Sequence, residues 1–491
     1  MSPSRPIFRR FPWLDRVAIV LVFAVAVLSY KYEDFKEQFP GLITAQIWAY
    51  QGLTRVFLGA PQPKWVTPVE IDDATFYDFL DNQSRNDVTD RRYLAELVKA
   101  IAAHNPAVIA LDINFDAAAF DRAKEDQSGL TDDDRALLGE ILNAQKAGIP
   151  VVLTFGFREG TVPVPQVFDG QPVLAKDGTS LDHKGISFLF PEHEEDSKPL
   201  PQRQRTYKVP RYGFDHPADD LRKVPLVVVG PDAEGRGSYD YYSFALQAAD
   251  AYSQWVPANP QPVALPPVHQ DPEWARSLED YEFVYTTFIP AADFVSPQLK
   301  AFNRGDAKPL SAIDVYCHLP EGTHKPWKLE KCPPPDSGRA NLSPDLLRNR
   351  IVLVGGNRHG YQGEEGEADL IDNHESPVGK IRGMYFQANY IEGLLDNRVL
   401  KPTPRWIAMA LDVLFALLTL RIASSQSSYW ARAGIIALML AVMVVISGVV
   451  ALTVHRCLDF VFPLVLLLLH PAIESYIHLV PGFRHEEGAH G

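Results

Sequence analysis

The chain has 491 residues, room for two or three domains, which excludes a single small module. Its formal net charge of -14, from 61 acidic against 47 basic residues, has the wrong sign for wrapping a phosphate backbone and excludes nucleic acid as an expected partner. Three cysteines are too few for a disulfide framework.

Residues 17–30 (VAIVLVFAVAVLSY) form an unbroken apolar run behind Arg5, Arg9, Arg10 and Arg16. With Trp13 included, 13–30 reads as a short transmembrane helix behind a basic cytoplasmic flank, 1–12. A cleaved signal peptide is the rival reading, because Ala24, Val25 and Ala26 supply a small-residue cleavage pattern. Either reading exports the chain beyond residue 30, and 31–64 becomes a membrane-proximal linker.

From Trp65 onward strand-like and helix-like pieces alternate. Residues 65–72 (WVTPVEID) predict a strand ending in acids. Thr89 or Asp90 then caps a helix in which Leu94, Leu97, Val98 and Ile101 recur at helical spacing. Residues 107–115 (AVIALDINF) are apolar almost throughout, as expected of a strand covered on both faces. A second helix over 132–147 and a strand over 150–157 complete a strand–helix–strand–helix–strand order, which predicts an α/β domain with a mostly parallel, helix-covered sheet.

The stretch 160–225 is rich in Pro, Gly and charge and reads as loop, with a short strand at 186–191. Order is predicted to return with a strand at 226–230, a helix over 241–252 and a strand over 282–289. Cys317 and Cys332 then lie together in a Pro-rich insertion; if exported they either pair, closing a loop for about 3 kcal/mol, or stay two free thiols. A covered strand at 350–355 and a helix over 383–395 close the outer domain, 65–404.

Three apolar runs come next, predicting transmembrane helices at 405–422, 433–454 and 458–480 and a tail at 481–491. Arg421, Arg432 and Arg484 set both chain ends on the cytoplasmic side, with His455 and Arg456 opposing weakly. Asp412 in the first run, and His470 and Glu474 in the last, are ionisable groups expected to meet an interhelical or dimer partner.

In open parallel sheets ligands sit beyond the carboxyl ends of the strands. Asp72, Asp73, Asp112, Asn114 and Asp116, with Asp372 after the 350–355 strand, are therefore the candidate ligand-binding residues; the competing reading is that such acids only cap helices and close turns. The glycines of VLVGGNRHG match no phosphate-binding pattern and read as a turn after a strand. The acids of 364–372 with His374 follow no EF-hand order, so no metal or other cofactor is expected. No nucleophile elbow, Cys–His pair or zinc signature occurs in the outer domain, so no catalytic residue is assigned and the chain is not expected to be an enzyme.

The segments VEIDD (69–73), ALDINFD (110–116), RKVPL (222–226), YSFALQAA (242–249), RNRIVLVGG (348–356), DNHESPVG (372–379) and GMYFQANYIEGLL (383–395) occur in that order over most of 65–400. In this combination the chain resembles the type-two CHASE sensor domain, an extracytoplasmic module of bacterial transmembrane receptors. The resemblance implies one helix before the domain and three after it, in the inner membrane, with a large periplasmic domain. Family members typically continue into an adenylate cyclase, a kinase or a diguanylate cyclase, whereas only PGFRHEEGAHG follows residue 480 here. The expectation is a sensor acting through a separate output protein, alone or as a homodimer or higher oligomer in the lipid bilayer. The alternative is a docking subunit of a cell-envelope complex.

Overall fold

The computed structural model describes residues 48, 50–56, 60–79, 89–113, 132–155, 157–158, 164–165, 173–174, 180–181, 211–214, 223–225, 227–231, 238–254, 283–286, 288–295, 309–318, 332, 344–357, 373–376, 378–396, 398–424, 429–454 and 456–457. The chain divides into two compact units, Pro61–Val399 and a second made of Met1–Ala60 with Leu400–Gly491.

In the first unit, among the described residues, six strands form one sheet: β1 (Val66–Asp72), β2 (Val108–Asp112), β3 (Val151–Phe155), β4 (Arg211–Phe214), β5 (Leu310–Ser311) and β6 (Ile351–Asn357). Their order is β5-β1-β6-β2-β3-β4, and every neighbouring pair is parallel. β6 therefore inserts between the first two strands of the chain, a placement that strand-by-strand reading does not reveal.

The helices are α1 (Arg91–Ala103), α2 (Asp132–Lys146), α3 (Phe244–Gln254), α4 (Ala312–Cys317) and α5 (Gly383–Leu395). They cover both faces, and the two-residue period of the strands divides the core accordingly. Ile109 and Leu111 of β2 join residues of α1, α2 and α4, whereas Val108 and Ala110 join residues of α3 and α5. Double coverage is why β2 reads as a continuous apolar run, each large side chain contributing about 2 kcal/mol by leaving water. Asp90, a predicted cap, starts α1 by accepting from the backbone N–H of Arg92 (2.8 Å) and Tyr93 (3.2 Å).

Several predicted elements differ in the structure. Arg211–Phe214, inside a stretch read as loop, is an edge strand of the main sheet, too short to carry a periodic signal. Phe283–Tyr285 pairs antiparallel with Lys223–Pro225 rather than joining the main sheet. The helix predicted from 241 starts at Phe244, because Ser238–Tyr242 pairs with Val227–Pro231. The glycines of VLVGGNRHG are not a turn: Gly355 and Gly356 lie within β6, which runs on to Asn357. The expected strand at 186–191 lies outside the described residues.

In the second unit, α6 (Arg405–Ser424) and α7 (Tyr429–Val454) expose Trp406, Leu414, Leu438, Val445, Ile446 and Val454 among other apolar side chains. Gly448 of α7 lets Leu53 approach: a Cβ there would lie 2.9 Å from Leu53 Cδ1. Among the described residues, no helix is long and apolar enough to cross a membrane. The expected spans at 13–30 and 458–480, with His470 and Glu474, lie outside the described residues, as does the side chain of Asp412 on α6.

Candidate functional site

Among the described residues, the carboxyl edge of the sheet carries Asp72, Asp73 and Asp112, and Asp72 is bound into the fold. In register, Asp72 of β1 stands opposite Asn357 of β6, and Asp112 of β2 opposite Gly355. Two strand spacings and an offset of two residues along the strands thus separate the Asp72 and Asp112 backbones, about 12 Å. Asp72 Oδ1 accepts from the backbone N–H (2.9 Å) and the hydroxyl (2.6 Å) of Thr75, starting the π-helical turn Ala74–Phe79. Thr75 Oγ1 also meets Ser311 Oγ of β5 at 3.1 Å. Asp73, next to Asp72, and Asp112, on β2, are half-buried. Asn114, Asp116 and Asp372 lie outside the described residues, so the structure brings only Asp72, Asp73 and Asp112 to this edge. Among the described residues, no group of three His, Cys, Asp or Glu could hold a metal ion.

Two residues before Asp72 on β1, Glu70 points to the α5 face and is only 5% exposed. The Tyr385 hydroxyl of α5 donates to Glu70 Oε1 at 2.6 Å, and the Asn357 side chain bonds it too. Burial raises the Glu70 carboxyl above its ordinary value, against those two hydrogen bonds and with Asp72 adding repulsion; Arg382 pulls the other way. Burial likewise pushes the Tyr385 hydroxyl well above its ordinary range, and the adjoining Glu70 adds to it. Gly355 makes the contact possible: a Cβ there would stand 2.6 Å from Met384 Cβ, so a larger residue would hold α5 off the sheet.

α5 carries a second constellation at the opposite, amino end of β1. Glu392 is fully buried, and its Oε1 accepts the backbone N–H groups of Lys64 (3.0 Å), Trp65 (2.7 Å) and Val66 (2.7 Å). Burial pushes its carboxyl up to about 7, although the three N–H groups and the Arg398 guanidinium favour the charged form. Asp396, next to it, accepts from Lys64 Nζ (3.1 Å), Trp65 Nε1 (3.0 Å) and Arg398 Nε (3.3 Å). Between the two ends, Asn389 exchanges hydrogen bonds with the backbone N–H and C=O of Ile289 and donates to Tyr385 O.

A family model described as the CHASE2 domain matches residues 18–422. The chain belongs to the CHASE2 domain family. CHASE2 domains are extracytoplasmic sensory domains, and the match takes in the whole parallel sheet with its covering helices. No curated protein and no solved structure matches the chain.

The residues that sequence reasoning missed in this CHASE2 domain are Glu70, Tyr385, Asn389 and Glu392. A signal for each was present. In VTPVEID the two-residue period puts Glu70 on the same covered face as Val66, and a carboxylate there requires a buried partner. In GMYFQANYIEGLL, Tyr385, Asn389 and Glu392 repeat at i, i+4 and i+7, a polar line on a helix otherwise buried. Cys317, at the end of α4, and Cys332 are joined as a disulfide with 5.6 Å between their Cα atoms, and both touch the core under α1.

Proposed function

We propose that the chain is a multi-pass protein of the bacterial inner membrane whose periplasmic CHASE2 domain senses a signal and passes it to a separate partner protein, with no catalysis of its own. The observation that carries the sensor reading is the family match over 18–422, which spans the α/β unit and reaches into the apolar runs on both sides of it. Spanning helices at 13–30, 405–422, 433–454 and 458–480 are supported by sequence, since 433–454 holds no ionisable side chain. The exposed apolar side chains of α6 and α7 suit contact with lipid. A binding rather than catalytic role is favoured at the carboxyl edge, because the Asp72 and Glu70 carboxylates are spent on Thr75, Tyr385 and Asn357.

Two measurements test this. An Asp345→Cys reporter, on an exposed side chain of the domain, should react with a membrane-impermeant maleimide on spheroplasts; reaction only after lysis would refute the topology. Affinity purification of the full chain in mild detergent should recover a signalling partner in stoichiometric amount. Recovery with structural envelope proteins instead would favour a docking subunit.

A further inference from the structure

The polar side chains on one line of α5 have a shared feature: each ties the helix to a different part of the domain, in order from one end of β1 to the other. Tyr385 holds Glu70 near the carboxyl end of β1, where the candidate ligand-binding acids gather. Asn389 holds Ile289, and Glu392 holds Lys64, Trp65 and Val66 where β1 begins. That last contact stands at the domain's two borders: the unit begins at Pro61 and ends at Val399, so the chain enters it just before Lys64 and leaves it just after Asp396 and Arg398. Asp396 doubles the attachment through Lys64 Nζ and Trp65 Nε1.

We propose that α5 is the relay of the sensor, a helix pinned to both ends of β1 that transmits a disturbance at the carboxyl edge to the clasp joining the incoming and outgoing chain. The relay rests on the sensor reading for its purpose, but its coupling is a property of the domain itself. Helix and strand are stiff along their axes, and the contacts at both ends are buried and hydrogen-bonded to a carboxylate, the strong kind. Shifting Tyr385 away from Glu70 therefore moves Glu392 relative to three backbone N–H groups that depend on one carboxyl group. Glu392 is a positioning residue in this scheme: it touches no ligand and holds the two borders together.

Hydrogen exchange of the full chain in lipid nanodiscs, read by mass spectrometry without any ligand, tests the coupling. Tyr385→Phe deletes the hydroxyl at one end, and the amides of Lys64, Trp65 and Val66 are read at the other. Exchange there should rise about tenfold, the scale of one lost buried charge-assisted hydrogen bond, while the amides of β3 stay protected. Glu70→Leu, which removes the acceptor, makes the same cut from the strand side and decides the matter if Tyr385→Phe does not fold. Glu392→Ala, which leaves no acceptor, shows what an opened clasp looks like. Unchanged exchange at 64–66 would overturn the relay, and so would an equal rise in β3, which would mark the contact as ordinary structural support. Loss of the sensor reading, by the labelling or purification results above, would leave these exchange rates as they are.

Discussion

Replacing Glu392 by Gln removes the one buried carboxyl whose proton affinity the fold changes most clearly, and its effect on stability is a function of pH. In the unfolded chain this carboxyl titrates near 4.5; burial in the folded domain carries it to about 7. The folded state thus holds the proton more tightly, so the contribution to stability is whole below pH 4.5 and is lost as pH rises to about 7. The displacement corresponds to about 3 kcal/mol, at 1.36 kcal/mol for each tenfold change in proton affinity. Glutamine does not titrate and keeps an oxygen to accept from Lys64, Trp65 and Val66. Thermal unfolding of the full chain in detergent, followed for both proteins at several values between about pH 5 and pH 8, gives the difference in Tm. About 2.5 kcal/mol of this is lost between about pH 5 and pH 8, so at roughly 2 °C per kcal/mol the wild type should fall relative to Glu392→Gln by about 5 °C across that range. Parallel curves would refute the reasoning, since they would mean that the three N–H groups and Arg398 offset burial completely.

Gly355→Ala should destabilise the domain by about 1–3 kcal/mol, because the new Cβ meets Met384 Cβ at 2.6 Å, whereas Gly356→Ala, with open space around it, should be near neutral; Tm of the two variants checks this. Cys317→Ser should cost about 3 kcal/mol by opening a loop of 15 residues, and peptide mapping without reductant should find the 317 and 332 peptides joined only in the parent. Asp72→Ala removes the acceptor for both Thr75 groups and should cost about 1–2 kcal/mol in denaturant unfolding. If this edge binds the signal, Asp112→Ala should reduce the Tm shift that the ligand produces, read against the variant's own unliganded Tm.

The sheet and the candidate edge are legible in the sequence to different degrees. β2, β3 and β6 announce themselves because a strand covered on both faces is apolar over most of its length, as VIALD and VVLTF are. α1 is bounded in the sequence by Asp90, whose side chain performs the cap that its position promises. Asp72 and Asp112 do lie at the carboxyl edge, yet the capping role of Asp72 depends on Thr75 folding back, which spacing suggests only loosely. β4 and β5 are invisible to periodicity because four and two residues cannot display a period. Glu70 looks locally like one more surface acid, although its neighbours on both sides, Val69 and Ile71, are core residues.

Local periodicity, capping residues and apolar runs determined by themselves the class of the domain, the identity of its central strands and the character of its flanks, since each is written in residues within a turn or two of one another. Only the tertiary structure decided that β6 lies between β1 and β2, and that a single helix answers to both ends of β1. The groups that meet there, Glu392 with Val66 and Tyr385 with Glu70, are 326 and 315 residues apart in the chain. A carboxylate's choice among distant donors depends on which of them share its water-free space, and that is settled by the whole fold rather than by spacing.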